Sequence, residues 1–288
     1  MVNERVLVTG ATGNTGSALL DLLVERSAPV VAMVRDGAGR AKVRADVPVV
    51  VADFDDAEAV AAALAGVGAA YLVTPSSERA QEQQERFAEL AASAGVRHLV
   101  KLSQLAAAED SPVRFLRYHA AVERRIRELG IGYTFLRPNL YFQGLLNVRA
   151  SIAAQGTFFA PIGDARISAV DVRDIAAVAA VALTEPGHDG RTYTITGPAA
   201  VTHAEIAAEI GAATGRRVAF VDVEPAAFAD ALRGMLPDWQ VDGLVEDYAH
   251  YARGEAAAVD PAVSEVTGRA PRGLSEFAKD HAAAFTAQ

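Results

Sequence analysis

RVLVTGATGNTG (residues 5–16) is a short apolar run that ends in a glycine-rich turn and continues as a helical pattern. Gly10, Gly13 and Gly16 have the spacing G-x-x-G-x-x-G. The first glycine permits the tight turn after a strand, the second lets backbone approach a phosphate, and the third lets the helix pack closely on the strand. The helix start then offers free N–H groups and a positive dipole end to a pyrophosphate, with Thr12, Asn14 and Thr15 adding short polar side chains. Such a turn is a weak signal alone. Here it follows a strand pattern and opens a helix pattern, which predicts a dinucleotide-binding loop and the first unit of a doubly wound sheet.

The alternation repeats downstream. VVAMV (30–34), VPVVV (47–51), AAYLV (69–73), RHLVKL (97–102) and YTFL (133–136) predict further strands. Helical spacing covers 17–26, 56–64, 77–94 and 113–129, with Asp55 or Asp56 as a cap and Gly95 and Gly130 as stops. Continuous apolar strands alternating with helices predict a parallel sheet covered on both faces. Right-handed crossovers make that an α/β, doubly wound Rossmann core. The alternation fades after Leu140. A short strand and helix at 167–181 and a strand at 193–196 are expected to rejoin the core. The segments 202–214, 225–235, 241–253 and 274–284 read as helices. The expected organisation is one 288-residue unit. Residues 1–140 form the dinucleotide-binding core, with 166–197 rejoining it. Residues 141–165 and 198–288 form a smaller, mainly helical substrate lobe over the carboxyl edge of the sheet.

Composition narrows the function classes. With 51% hydrophobic and 22% charged residues the chain is globular and not disordered. A formal net charge of −9 and the absence of a dense Lys/Arg cluster disfavour nucleic acid and anionic membrane as partners. Zero cysteines exclude disulfides, thiolate catalysis and Cys-ligated metals. The six histidines (98, 119, 188, 203, 250 and 281) show no HxH or HExxH spacing, so no metal is expected. Met1-Val2-Asn3-Glu4-Arg5 leads into the first strand without room for a signal peptide, and no apolar stretch suits a bilayer span, so a cytoplasmic location is expected. The expected partner is a small molecule, and the chain is expected to be a monomer or homodimer.

The strand ends carry the remaining cofactor candidates. An acidic residue after the second strand accepts the ribose hydroxyls of NAD, whereas a basic one meets the 2′-phosphate of NADP. Arg35 stands there, with Asp36 next and Arg40 and Lys42 nearby. That favours NADPH, with NADH possible if Asp36 takes the ribose. Asp53 and Phe54 follow the third strand, placed either to meet adenine or, for Asp53, to cap a helix. Thr74 and Pro75 follow the fourth, on the edge expected for the nicotinamide ribose.

VLVTGATGNTG, Arg35, ADFDD (52–56), AASAGVRHLVKLS (91–103), YTFLRPN (133–139) and GRAPRGLSEFAKDH (268–281) occur in this order along nearly the whole chain. Together the sequence resembles the NmrA-like atypical short-chain dehydrogenase/reductases. The resemblance implies NADP binding. It leaves open quinone, ketone, alkene or azo reduction, or a redox sensor that binds NADP(H) without turnover. Short-chain reductases carry a Ser after the fifth strand, then a Tyr and, four residues later, a Lys on the next helix. Ser103 matches the Ser. The Lys position holds His119 and the Tyr position Phe115, which has no proton to give.

His119 and Glu123 are four residues apart, on one helix face. The resemblance makes His119, with Ser103 and Glu123, the catalytic candidates. Glu123 would orient His119 and raise its pKa toward that of a general acid. The other readings are that His119, with Ser103, only binds the cofactor at the nicotinamide ribose, or that it is a partly buried helix histidine beside a surface glutamate. The resemblance also places backbone amides of the Arg137–Phe142 stretch, with Pro138 and Asn139 as cofactor candidates, against the nicotinamide carboxamide. Tyr141, Phe142 and Gln104 are candidates to face substrate, with core packing the alternative for the two aromatics. The functional expectation is an NADPH-dependent reductase of a carbonyl or quinone on a mostly apolar, aromatic small molecule. The alternative is a non-catalytic NADP(H) sensor.

Overall fold

The structure, a computed structural model, describes residues 4–286, so the reading of Met1–Asn3 lies outside the described residues. Nine strands are formed: β1 (Arg5–Val8), β2 (Val30–Val34), β3 (Val49–Val51), β4 (Val67–Leu72), β5 (His98–Leu102), β6 (Gly132–Pro138), β7 (Thr157–Ala160), β8 (Arg191–Ile195) and β9 (Ala219–Asp222) among the described residues. The helices are α1 (Asn14–Glu25), α2 (Gly37–Arg40), α3 (Ala57–Leu64), α4 (Ala80–Ser93), α5 (Arg114–Glu128), α6 (Arg149–Gln155), α7 (Val172–Thr184), α8 (His203–Thr214), α9 (Pro225–Leu232), α10 (Asp238–Ala252), α11 (Ala262–Thr267) and α12 (Leu274–Asp280). The chain divides into two compact units. The first takes residues up to Ser111, Leu116–Arg137 and Ile175–Thr194; the second takes Pro112–Phe115, Pro138–Asp174 and the chain from Ile195.

In the first unit one seven-stranded sheet has the order β3-β2-β1-β4-β5-β6-β8. The ladders from β3 to β6 are parallel, which makes this the doubly wound α/β core the alternation predicts. All five residues of β2 are buried, as a strand covered on both faces requires. One face carries Leu7, Met33, Leu72, Leu99 and Phe135 against Val60 and Leu64 of α3, Phe87 of α4, and Val122 and Ile126 of α5. Each such side chain contributes about 1.5–3 kcal/mol when fully buried. Lys101 is paired in register with Leu72 on β4 and Phe135 on β6. Paired residues of a sheet share a face, so Lys101 lies on the face that α5 covers.

The second unit is mainly helical, with α6 and α8–α12, and adds one small sheet that the sequence pattern does not signal. β7 and β9 form their own two-stranded parallel sheet, with Phe158 paired to Phe220. Four-residue apolar runs are too short for periodicity to separate from helix or loop. The stretch after residue 167 is not a strand either, but carries two isolated bridges, Ile167 to Val201 and Val170 to Tyr141, before α7 begins. α8 starts at a capping box, Thr202 with Glu205, which is why that boundary was legible. Among the described residues no helix is long and apolar enough to cross a membrane.

Thr9 ties β1 to β4 at the edge where the glycine turn begins. Its Oγ1 accepts from Val73 N–H (2.9 Å) and stands 3.0 Å from the carbonyls of Tyr71 and Val73, either of which accepts its proton. Thr9→Val keeps the shape but strands the half-buried Val73 N–H. We predict a loss of about 1–3 kcal/mol in urea unfolding.

Candidate active site

The turn after β1 is built for an anion. Gly10 has φ of 56°, and a Cβ there would collide with the Val73 side chain. A Cβ on Gly16 would overlap the Gly10 carbonyl, so the first turn of α1 lies directly on the loop backbone. α1 is capped by Gly13, with no side-chain cap bond and no acidic residue in its first turn. Its leading N–H groups therefore have no side-chain acceptor. Thr12, Gly13 and Asn14 are exposed around them, while Thr15 is buried.

Arg35 follows β2 with 77% of its side chain exposed, 3.5 Å from Asp36. Asp36 is the N-cap of α2, accepting Gly39 N–H at 2.8 Å, and that bond holds its carboxyl below the usual range. This leaves Arg35 the freer of the two. The Asp53 carboxylate accepts Asp55 N–H at 3.0 Å, while Asp56 is the true cap of α3. Phe54 turns inward onto Phe87, 5.7 Å between ring centroids, and packs against the core cluster. Thr74 accepts from Gln84 Nε2 at 2.8 Å, Pro75 is exposed, and Ser76 Oγ lies 3.4 Å from Tyr118 Oη.

The catalytic candidates lie between β5, β6 and α5. Leu99, Lys101 and Ser103 alternate along one face of β5. Ser103 donates to Glu123 at 2.6 Å. Arg137 clasps the same carboxylate with two bonds of 2.9 and 2.6 Å, and Arg127 adds a third donor at 3.3 Å. Glu123 has no solvent exposure. Burial raises its pKa, but Arg137 and Ser103 outweigh that together and hold it below the usual value. The expected orientation of His119 by Glu123 is therefore not formed: the carboxylate is fully engaged by Ser103 and the two arginines. His119 is bonded instead to Lys101, Nζ to Nδ1 at 2.7 Å. Burial first, then Lys101 and Arg137, push the His119 pKa well below its ordinary value, the opposite of the expected rise. Tyr118 lies against the His119 ring at 4.1 Å.

Phe115 keeps its packing role, and two further expectations change. Phe115 is wedged against Trp239 (5.3 Å) and Gly243, where a Cβ would collide with its ring. Asn139 spends its amide on Ser168 Oγ and Ala256 O, both at 2.8 Å, and on Leu140 N–H. Its backbone N–H goes to Ile195 O and that of Phe142 to Val170 O, so these amides are not available to a carboxamide. Phe142 is core, stacked on Phe277 at 5.4 Å, as the packing alternative anticipated. Pro138 is buried, and Tyr141 and Gln104 are half-buried.

The NmrA-like family model matches residues 2–278. The chain belongs to the NmrA-like family. It is 38% identical to an NAD(P)H azoreductase of Xenophilus azovorans, over 98% of this chain and 99% of that one. It is 36% identical to a (4-alkanoyl-5-oxo-2,5-dihydrofuran-3-yl)methyl phosphate reductase of Streptomyces griseus, over 97% and 99%. Among solved structures, the NADPH-dependent quinone oxidoreductase QOR2 of Escherichia coli complexed with NADPH superimposes with a TM-score of 0.86 at 29% identity, covering 96% and 99%.

Within this NmrA-like chain, sequence reasoning missed Lys101 and Arg137. The signal was present for the first: a lysine at a core-facing position of an apolar central strand is costly unless it has partners. Arg137 could be found only by knowing that Glu123 is buried.

Two predictions follow from this geometry. Gly16→Ala forces α1 off the Gly10 carbonyl, and dinucleotide binding, followed by cofactor fluorescence, is abolished. Lys101, with an ordinary pKa of 10.5, is brought to about 7, chiefly by burial. Between these values the unfolded chain holds a proton that the folded protein lacks, so stability rises with pH, by up to about 1.4 kcal/mol per unit. Lys101→Met removes the gradient. In urea unfolding across that window the parent protein gains stability relative to the variant as pH rises.

Proposed function

We propose that this protein is an NADPH-dependent reductase of a carbonyl or quinone on a mostly apolar, aromatic small molecule. The chain is an NAD(P)H-dependent oxidoreductase, in keeping with the azoreductase and quinone oxidoreductase relatives. The observation that carries the cofactor reading is the α1 start, which has no side-chain cap, under a glycine turn into which a Cβ would not fit. Those residues fit the pyrophosphate of NADP(H), and Arg35, largely exposed and only loosely paired with Asp36, supplies a cation for a 2′-phosphate.

When bound, the nicotinamide supplies a hydride at the carboxyl edge of the sheet. This chain's residues do the rest. Gly10, Gly13 and the first turn of α1 hold the phosphates. Ser76, after β4, lies 3.4 Å from Tyr118 of α5, Ser103 follows β5, and His119 is next to Tyr118 on α5; β4 and β5 are neighbouring strands, about 4.8 Å apart. Ser103 is tied to Glu123, which leaves the His119 imidazole as the proton donor to a reduced oxygen. Quinones and hydroxylated aromatic ketones suit such a site, because the oxyanion they form is already stabilised by delocalisation.

Purified protein is expected to consume NADPH absorbance with quinones or polycyclic aromatic ketones, faster than it consumes NADH. Arg35→Ala is expected to weaken NADPH binding about tenfold or more, equivalent to ~1.4 kcal/mol, and to leave NADH binding unchanged. Tight NADPH binding without turnover across the panel, with Arg35→Ala indifferent, would refute the reductase reading and its cofactor preference together.

A further inference from the structure

Of the three lysines in the chain, Lys101 alone is built into a strand, and it has no solvent exposure. Its ammonium has two acceptors, Leu102 O at 3.0 Å and His119 Nδ1 at 2.7 Å. An ammonium only donates. The bond to His119 therefore makes Nδ1 the acceptor and leaves the ring proton on Nε2. Among the described residues no side chain is hydrogen-bonded to Nε2. The groups facing Lys101 are His119 and Glu123 from α5 and Arg137 from β6, while β4 contributes Leu72 at this level.

This arrangement removes one route for proton donation and supplies another. A buried imidazole next to Lys101 and Arg137 does not hold a second proton at neutral pH. The donor is then a neutral imidazole, and a neutral N–H is a poor acid unless the lost proton is replaced as it leaves. Lys101 stands where the replacement is needed.

We propose that Lys101 is a positioning residue and proton reservoir for His119, keeping the imidazole proton on Nε2 toward the substrate and reloading the ring through Nδ1 as that proton leaves. The inference rests on His119 being the proton donor. When the substrate carbonyl carbon has accepted a hydride, its oxygen carries the displaced electron pair. That oxygen takes the proton of His119 Nε2–H, and the N–H electron pair stays in the ring. Nδ1 takes a proton from Lys101 Nζ, which becomes a neutral amine. The imidazole is neutral before and after, in opposite tautomers. After product release a solvent proton arriving at Nε2 returns the Nδ1 proton to Nζ. Because burial brings Lys101 to about pH 7, the reservoir is loaded below that pH and empty above it.

The test uses the wild type, Lys101→Met and His119→Gln. Long-range nitrogen–proton NMR correlations on the cofactor-free protein read the His119 tautomer. Steady-state kinetics across pH read kcat and KM, and unfolding curves confirm that each variant is folded. The wild type is expected to show the Nε2–H tautomer and a kcat that falls as pH rises through about 7. Folded Lys101→Met is expected to lose about 10²–10⁴-fold in kcat with KM little changed, to lose that inflection, and to show a mixed tautomer. An Nδ1–H tautomer in the wild type overturns the proposal whatever the activity. So does a Lys101→Met enzyme with wild-type kcat and pH profile while His119→Gln is inactive, an outcome that leaves the donor role of His119 standing. Full kcat in His119→Gln overturns the donor role itself, and the relay with it.

Discussion

Glu123 carries a charge with no contact with water, and the carboxyl ends of β5 and β6 are arranged to meet that demand. One oxygen receives Ser103 and Arg137; the other receives Arg137 and Arg127. Removing one partner from a buried pair of this kind costs about 3–5 kcal/mol, because it leaves a charge stranded. The clasp also sets the rotation of α5. With Glu123 held to β5 and β6, Val122 and Ile126 face the core cluster, and His119, about one turn back, is delivered to Lys101. The dinucleotide loop depends on a different contact, Gly16 against the Gly10 carbonyl. The two devices stand at the ends of β1 and β5, which are separated in the sheet by β4.

The electrostatics of this edge differ from what a histidine–glutamate pair suggests. An acid beside an imidazole would raise its pKa, yet burial and the charges of Lys101 and Arg137 push that of His119 down. Glu123 acts one step removed: it stabilises the charge on Lys101 against burial. The ring is thus kept neutral and hydrogen-bonded on one side. Such a group donates a proton only as part of a chain of donors.

What the sequence made legible is what repeats. VVAMV (30–34) is β2 residue for residue, and Asp56 caps α3 as one of the two expected residues. The helix signalled at 202–214 has its capping box in place. The glycine turn was readable because its geometry depends only on local backbone. β7 and β9 were not readable, since TFFA and AFVD are each a single short run whose partner lies some sixty residues away in sequence. Spacing put His119 and Glu123 on one helix face correctly, but not what stood opposite. Four-residue periodicity cannot say that Ser103 and Arg137 claim the carboxylate first. Lys101 was visible as an anomaly, a charge in an apolar strand, and its partner followed only once α5 was placed over β5.

Phe115 and Gly243 share one space: the glycine has no side chain because the ring already fills the room one would need. A tyrosine at 115 would carry its hydroxyl on the ring atom that already crowds α10. The distance between this chain and reductases with the Tyr–Lys pair is therefore not one substitution at a time. A route from one to the other has to move α10 before a phenol can be admitted on α5. Position 243 is already glycine and cannot be made smaller, so grafting that chemistry here begins with the placement of α10 and not with a substitution at 115.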